Sequence, residues 1–275
     1  MRKFITVSLI LILLLSLPIA AGADTYKFDD SKIDSYLLES GYPQEVINVL
    51  QGSFKEALYR DRATFLTLEK ATAYLSDDSN KINLSENELM ALSNFTQYLI
   101  VSRIGTTVPG TARFSIVHNW MWDYAPRFVL KDKTGIAWSS DFNADPESAF
   151  YSYTATDKGT GTRYDITRYT YDKYTPGAGI GWEFQLQNIV SNGKNNYFAN
   201  KHSGGSYVIV TKSHDGSGKS ETSSASAKYF HKEKNVSGSL SFSKGSKPEI
   251  TISPSDAYDE SPDKGALWYW KQQDE

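Results

Sequence analysis

Hydrophobic and polar positions alternate in two different ways along this chain, and the change falls near residue 105. Before it, apolar residues recur at helical spacing between clear punctuation. Asp29 or Asp30 stands where an N-cap belongs ahead of "SKIDSYLLES", and Gly41 stands where a left-handed closing residue belongs. Pro43 then opens "PQEVINVLQ" and Gly52 closes it. Ser53 with Glu56 spells a capping box for "FKEALYRDRATFLTLEKATAYL", and Ser85 with Glu88 spells a second for "NELMALSNFTQYLIVSR". Residues 24–105 therefore read as a helical segment of three or four helices.

From about residue 106 the period shortens to two, in short runs of tyrosine, threonine, valine and serine divided by glycine or asparagine clusters. Strands are expected at 112–124, 127–132, 135–140, 149–156, 163–174, 182–190, 206–213, 224–231, 236–244, 248–253 and 266–271. The runs "KDKTG", "DKGTG", "SNGKNN" and "HDGSGK" carry the residues that tight reversals need. The expected fold class is α+β: a small N-terminal helical segment, then an antiparallel β-sandwich or barrel-like domain over residues 106–275.

Residues 1–23 stand apart from both patterns. Arg2 and Lys3 precede the apolar run "FITVSLILILLLSLPIAA", and Ala21-Gly22-Ala23 follows it. That is the form of a secretory signal peptide, and Pro18 ahead of the small-residue site favours cleavage over a retained anchor. The expected localisation is secreted, with no permanent membrane span after cleavage. The chain has no cysteine, so disulfides and lipid modification of a terminal cysteine are closed to it. An exported protein of this size without disulfides points to a bacterial source. Without Arg2 and Lys3, 27 basic residues face 32 acidic ones, a net charge of −5 with no basic block, which argues against nucleic acid as partner.

The densest chemistry lies in "HNWMWDYAPRF", residues 118–128. Read as a strand, it puts Phe114, Ile116, His118, Trp120, Trp122 and Tyr124 on one face. Trp120 and Trp122 could form a shelf for sugar rings, but Phe114 and Ile116 continue the same face and belong in a core. A ligand site then falls at the strand end, on Tyr124 and Arg127 with Trp138.

Other candidates are thinner. Asp141, Asn143 and Asp145 have a calcium-loop spacing, but Pro146 replaces the glycine and Ser152 the bidentate glutamate that such loops use. No other cofactor is indicated. "SHDGSGKS", 213–220, lacks the first glycine of a phosphate loop and leads into an alternating run, so it reads as a hairpin turn. His118, His202, His214 and His231 show no metal-binding spacing, although a hairpin could bring His214 and His231 together. Glu183 shares a polar row with Gln185 and Gln187; with Asp141 or Asp165 it would supply the two carboxylates of a glycan hydrolase. Asn83, Asn94 and Asn235 head glycosylation acceptor triplets.

The serine-rich runs across 206–244 resemble in composition the amphipathic hairpins of aerolysin-like pore-forming toxins, which implies a membrane-active alternative. Trp268, Tyr269 and Trp270 would then be a closing strand or an interfacial anchor. With six tryptophans, 18 tyrosines and 13 phenylalanines but no catalytic constellation, the leading expectation is a non-catalytic secreted module. Its partners would be a glycan, the cell surface or a secreted protein.

Overall fold

The structure, a computed structural model, describes residues 29–75, 94–106, 108–123, 125–126 and 128–273. Its N-terminal third begins with three short helices, α1 (Asp30–Glu39), α2 (Gln44–Val49) and α3 (Gly52–Arg60). Asp29 caps α1 by accepting the Ser31 N–H at 3.0 Å, and Gly41 follows the helix at φ +89°. Pro43 is the N-cap of α2. Gly52 opens α3 instead of closing α2, and no side chain caps that helix, so the Ser53–Glu56 capping box does not form.

The helical expectation fails after Arg60. Asp61 caps α3, Arg62 turns through φ +50°, and the chain then runs as β1 (Thr64–Ala73). Residues 95–104, expected to be helical, form β2 (Phe95–Ile104), and the Ser85–Glu88 box lies outside the described residues. The reason is burial. All ten residues of β2 are buried, with Leu99 and Val101 facing one layer and Tyr98 and Ile100 facing another. A strand covered on both sides loses its alternation and reads like a helix core.

Two large antiparallel sheets are stacked, with strands numbered in chain order. The first runs β1-β2-β3 (Thr111–Trp122)-β11 (Lys201–Ser213)-β5 (Asn143–Thr156)-β6 (Arg163–Arg168). The second runs β15 (Tyr258–Glu260)-β12 (Ser220–Lys232)-β4 (Lys131–Trp138)-β8 (Gly179–Gln185)-β7 (Lys173–Thr175), and β16 (Lys264–Lys271) also pairs with β12. Two small hairpins complete the fold, β9 (Ile189–Ser191) with β10 (Asn196–Phe198) and β13 (Ser239–Phe242) with β14 (Ile250–Ser253).

The layers are held by three apolar clusters. Between the sheets lie Phe114, Ile116, Trp120, Trp122, Trp138, Trp182 and Trp268, all with 2% exposure or less. On the far side of the first sheet, Leu37, Ile47, Phe54 and Leu58 from the helices pack on Ile100, Val117 and Tyr207. The β13–β14 hairpin lays Leu240, Phe242, Ile250 and Ile252 on the outer face of the second sheet. Two adjacent glycines let this stack close. Gly204 sits opposite Trp120 in the ladder, where an added Cβ would meet the indole at 2.4 Å, and Gly205 takes Phe54 from the other side.

Residues 213–220, expected to turn a hairpin, do not join paired strands. β11 lies between β3 and β5 in the first sheet, β12 between β4 and β16 in the second, and residues 214–219 carry the chain from one to the other. Ala225 and Ala227 of β12 face the core and Thr222 faces solvent, so the thin serine face clothes a central strand. Membrane insertion by residues 206–244 would require β11 and β12 to leave their separate sheets. No helix among the described residues is long and apolar enough to cross a membrane.

Candidate functional site

Trp120, Trp122 and Trp138 are completely buried, and the surface shelf they might have formed does not exist. Their strand alternates as expected, but the face it presents is the inter-sheet layer. Trp120 stacks on Phe184 with ring centroids 5.3 Å apart, and the Trp122 Nε1–H donates to the Tyr229 hydroxyl at 3.1 Å. His118 shares this layer. Its Nδ1 lies 2.8 Å from the Thr134 hydroxyl and its Nε2 3.0 Å from Gln97 Oε1, and burial pushes its pKa down to about 3. Tyr124 and Arg127 lie outside the described residues.

The calcium candidate is not assembled either. Asn143 and Asp145 share one face of β5 and do not lie in the tight loop that a calcium site of this spacing uses. Asp145 instead caps a bulge: its carboxylate accepts the Glu147 N–H at 3.2 Å and its carbonyl accepts the Ser148 hydroxyl at 2.6 Å. Asp141 is paired with Lys212 at 2.5 Å. Among the described residues no group of three or more histidines or carboxylates could hold a metal.

His214 and His231 are not brought together. His231 sits at the inner end of β12 against Asp132, with Nδ1 2.9 Å from its carboxylate, whereas His214 lies beyond β11 with its N–H donated to the Gly110 carbonyl. Asp132 also accepts the Tyr229 hydroxyl and, at 2.9 Å, the Lys232 N–H, so this buried carboxylate is fully engaged. Asn94 is buried and tied to both backbone groups of Leu75, which removes it as a glycan acceptor in the folded chain; Asn235 is exposed.

What the fold does assemble is a cleft of about 290 Å³ on the open side of the sandwich, between edge strand β6 and strands β4 and β8. Tyr164 and Arg168 come from β6, Lys131 from β4, Glu183 and Gln185 from β8, and Gln187 from the chain just beyond it. On β8, Trp182 and Phe184 point into the core, which turns the intervening Glu183 and Gln185 outward. A second cleft of about 170 Å³ shares Asp172 and Glu183 with the first and continues past Lys133 and Lys173 to Ser239 on the covering hairpin. The two form one polar track.

Its charges are paired. Glu183 bonds to Lys133 and lies 3.3 Å from Lys131. Burial acts to raise its pKa, but the two ammonium groups prevail and hold the carboxyl below its ordinary range. Arg168 bonds to Asp172, donates to the Glu183 carbonyl at 3.3 Å and lies over the Tyr151 ring at 5.1 Å. The Asp172 carboxylate also accepts the Glu183 N–H at 2.7 Å. A carboxylate held ionised between two lysines is a poor proton donor. Its expected partners are elsewhere, with Asp141 bound to Lys212 and Asp165 bound to Thr154 and Arg163, neither lining the track. The pairing of Glu183 with Asp141 or Asp165 expected of a glycan hydrolase is therefore not formed; the carboxylate that lines the cleft beside Glu183 is Asp172, itself bonded to Arg168.

Around the track stands the exposed aromatic and apolar surface that the sequence suggested but did not locate. Tyr164, Tyr169 and Tyr171 are exposed along β6 and the chain after it, and Ile189 and Phe198 pair across the β9–β10 hairpin with more than half their surface in solvent. The signal was present in "RYDITRYTYDKYT", where tyrosine alternates with arginine and aspartate, but it reads as one strand. In fact β6 and β7 belong to different sheets, and the bend between them forms part of the cleft rim.

No family model and no curated protein matches the chain. Loose likenesses occur among solved structures. The membrane-inserted form of the Clostridium perfringens NetB toxin aligns at 8% identity over 75% of this chain and 94% of that one, with a TM-score of 0.28. A structure concerned with pH-induced modulation of Streptococcus parasanguinis adhesion by Fap1 fimbriae aligns at 10% identity over 76% and 96%, with a TM-score of 0.27. AvmM, which catalyses macrocyclization in alchivemycin A biosynthesis, aligns at 13% identity over 56% and 86%, with a TM-score of 0.18.

Proposed function

We propose that this protein is an exported, non-catalytic binding module that takes a glycan chain of the cell envelope or cell surface along the track between β6 and β8. The observation that carries the reading is the composition of the cleft. Donors and acceptors alternate along its walls in Arg168, Glu183, Gln185 and Gln187, and the half-open ring of Tyr164 offers an apolar face beside them. A polyol needs both kinds of hydrogen-bonding group and a flat apolar surface, and mutually paired charges hold such groups still without selecting a net charge. Continuity into the second cleft suits a chain better than a single sugar. The export signal supports an extracellular partner.

Isothermal titration against a panel of polysaccharides tests the reading. All six tryptophans are buried, so intrinsic fluorescence is a poor reporter. At least one glycan should bind, and Tyr164→Ala and Gln185→Ala should each weaken it about tenfold, the equivalent of about 1.4 kcal/mol. No heat with any glycan, or equal affinity in both variants, would discard the cleft as the site.

A further inference from the structure

His202 lies at the foot of the β9–β10 hairpin, where it is connected to both ends of that segment. Its Nδ1 is 2.8 Å from the Tyr153 hydroxyl, and the same hydroxyl accepts the backbone N–H of Gln187 at 2.9 Å. A hydroxyl that accepts from Gln187 has its own proton free to donate, so Nδ1 is the acceptor and the imidazole is the neutral tautomer with its proton on Nε2. The backbone of Ala199 also faces the ring. Gln187 precedes the hairpin and Ala199 follows it, and the loop is closed by the Ala199 N–H donating to the Asn188 carbonyl at 2.8 Å. Gln187 lines the proposed cleft.

We infer that His202 is an acid-sensitive latch: neutral, it fastens the β9–β10 hairpin and the Gln187 wall of the cleft to the sandwich, and protonated, it releases them. The chemistry follows from the direction of the bonds. A proton on Nδ1 turns that atom into a donor, leaving the Tyr153 oxygen facing two donors while its own hydrogen has no acceptor. Re-pairing that hydrogen requires the hydroxyl to turn, which draws its lone pairs off the Gln187 N–H. The surroundings do not rescue the bond. Asp132 on β4 attracts an imidazolium and His231 on β12 opposes it, but Asp132 is already bonded to Tyr229, His231 and the Lys232 N–H. Tyr153 on β5 stacks on the ring, and Tyr164 on β6 lies one ring farther out. Burial keeps the imidazole neutral at pH 7 and moves its titration down to about 4.

Release of a bound glycan by acid would rest on the cleft reading; the latch itself does not. Hydrogen exchange of the full chain without ligand, read by mass spectrometry and corrected for intrinsic rates, separates the two. Peptides covering 187–199 should exchange about tenfold faster at pH 4 than at pH 7, while those covering 111–122 stay protected. Tyr153→Phe, which keeps the ring, should expose 187–199 at both pH values. His202→Gln should remove the pH dependence. Equal protection of 187–199 at both pH values, or simultaneous loss at 111–122, overturns the latch, and both readings come from the unmutated protein should a variant not fold. A glycan that binds equally at pH 7 and 4 while the hairpin opens would count against the cleft and leave the latch standing.

Discussion

Replacing His118 with leucine should destabilise the protein at pH 7.5, and the deficit should shrink by about 2 kcal/mol at pH 5. The imidazole is completely buried between the sheets, and its pKa of about 3 compares with 6.5 in the open chain. Above pH 6.5 it is neutral in both states and contributes nothing to pH dependence. Between 6.5 and about 3 the unfolded chain takes up a proton that the folded one refuses, so stability falls as the pH is lowered through that window. At pH 5, about 1.5 units into it, the penalty is about 2 kcal/mol at 1.36 kcal/mol per unit. Leucine does not titrate and escapes that penalty, although at every pH it removes one bond each from the Thr134 hydroxyl and Gln97, at a cost of about 1–3 kcal/mol. Urea unfolding of both proteins at pH 7.5, 6 and 5, at fixed ionic strength, gives the two stability curves. Carboxylates held ionised in the fold, such as Glu183 and Asp141, begin to lose their contribution only below their ordinary range near 4 and affect both proteins alike. Curves that stay parallel from pH 7.5 to 5 would mean that His118 titrates equally in both states, and the assignment of a neutral buried imidazole would be wrong.

Three further outcomes follow from the packing. Gly205→Ala places a Cβ 2.4 Å from the His118 carbonyl oxygen and 2.8 Å from the Phe54 ring, so it should cost about 3 kcal/mol or more in chemical denaturation, with the helical layer loosened first. Asp132→Ala removes the one acceptor shared by the Tyr229 hydroxyl, His231 Nδ1 and the Lys232 N–H in the core and should lower stability by about 3–5 kcal/mol; a loss below about 1 kcal/mol would show the network to be dispensable. Glu183→Gln should leave Lys133, which is largely buried, without its carboxylate, and the melting temperature should fall by several degrees, about 1–2 kcal/mol, whether or not a glycan is bound.

How much of this was legible in the sequence depends on where each stretch ended up. Asp29, Gly41 and Pro43 mark local events and are read correctly because caps and left-handed residues need no tertiary partner. The alternation of β3 is legible for a similar reason, since its aromatic side differs in composition from the side holding Arg113, Ser115 and Asn119. β2 is opaque because both its faces are buried, and β1, with Glu69, Lys70 and Ala71, favours helix by local propensity until it pairs with β2. The cleft is harder still. Glu183, Gln185 and Gln187 stand out as a polar row, but Lys131, Tyr164 and Arg168 reach them only through the β4–β8 pairing and the stacking of two sheets. The reading of 213–220 as a hairpin turn fails because a short glycine turn specifies a reversal without specifying which sheet receives the second strand.

The position of β11 also bears on how the molecule is made. β3 holds Trp120 and Trp122, yet its second edge is completed only by β11, with His202 opposite Trp122 and Ser213 opposite Thr111. During synthesis, β3 therefore emerges about 80 residues before the strand that closes it, and its apolar face must wait. Pairing over such sequence distances folds slowly. Between the ribosome and the finished sandwich, the chain exposes its largest aromatic residues for longer than a protein built from neighbouring hairpins would. The pairing of its two central strands waits for residues 201–213, and closure of the layer over Trp120 and Trp122 waits longer still, for β12 and β16.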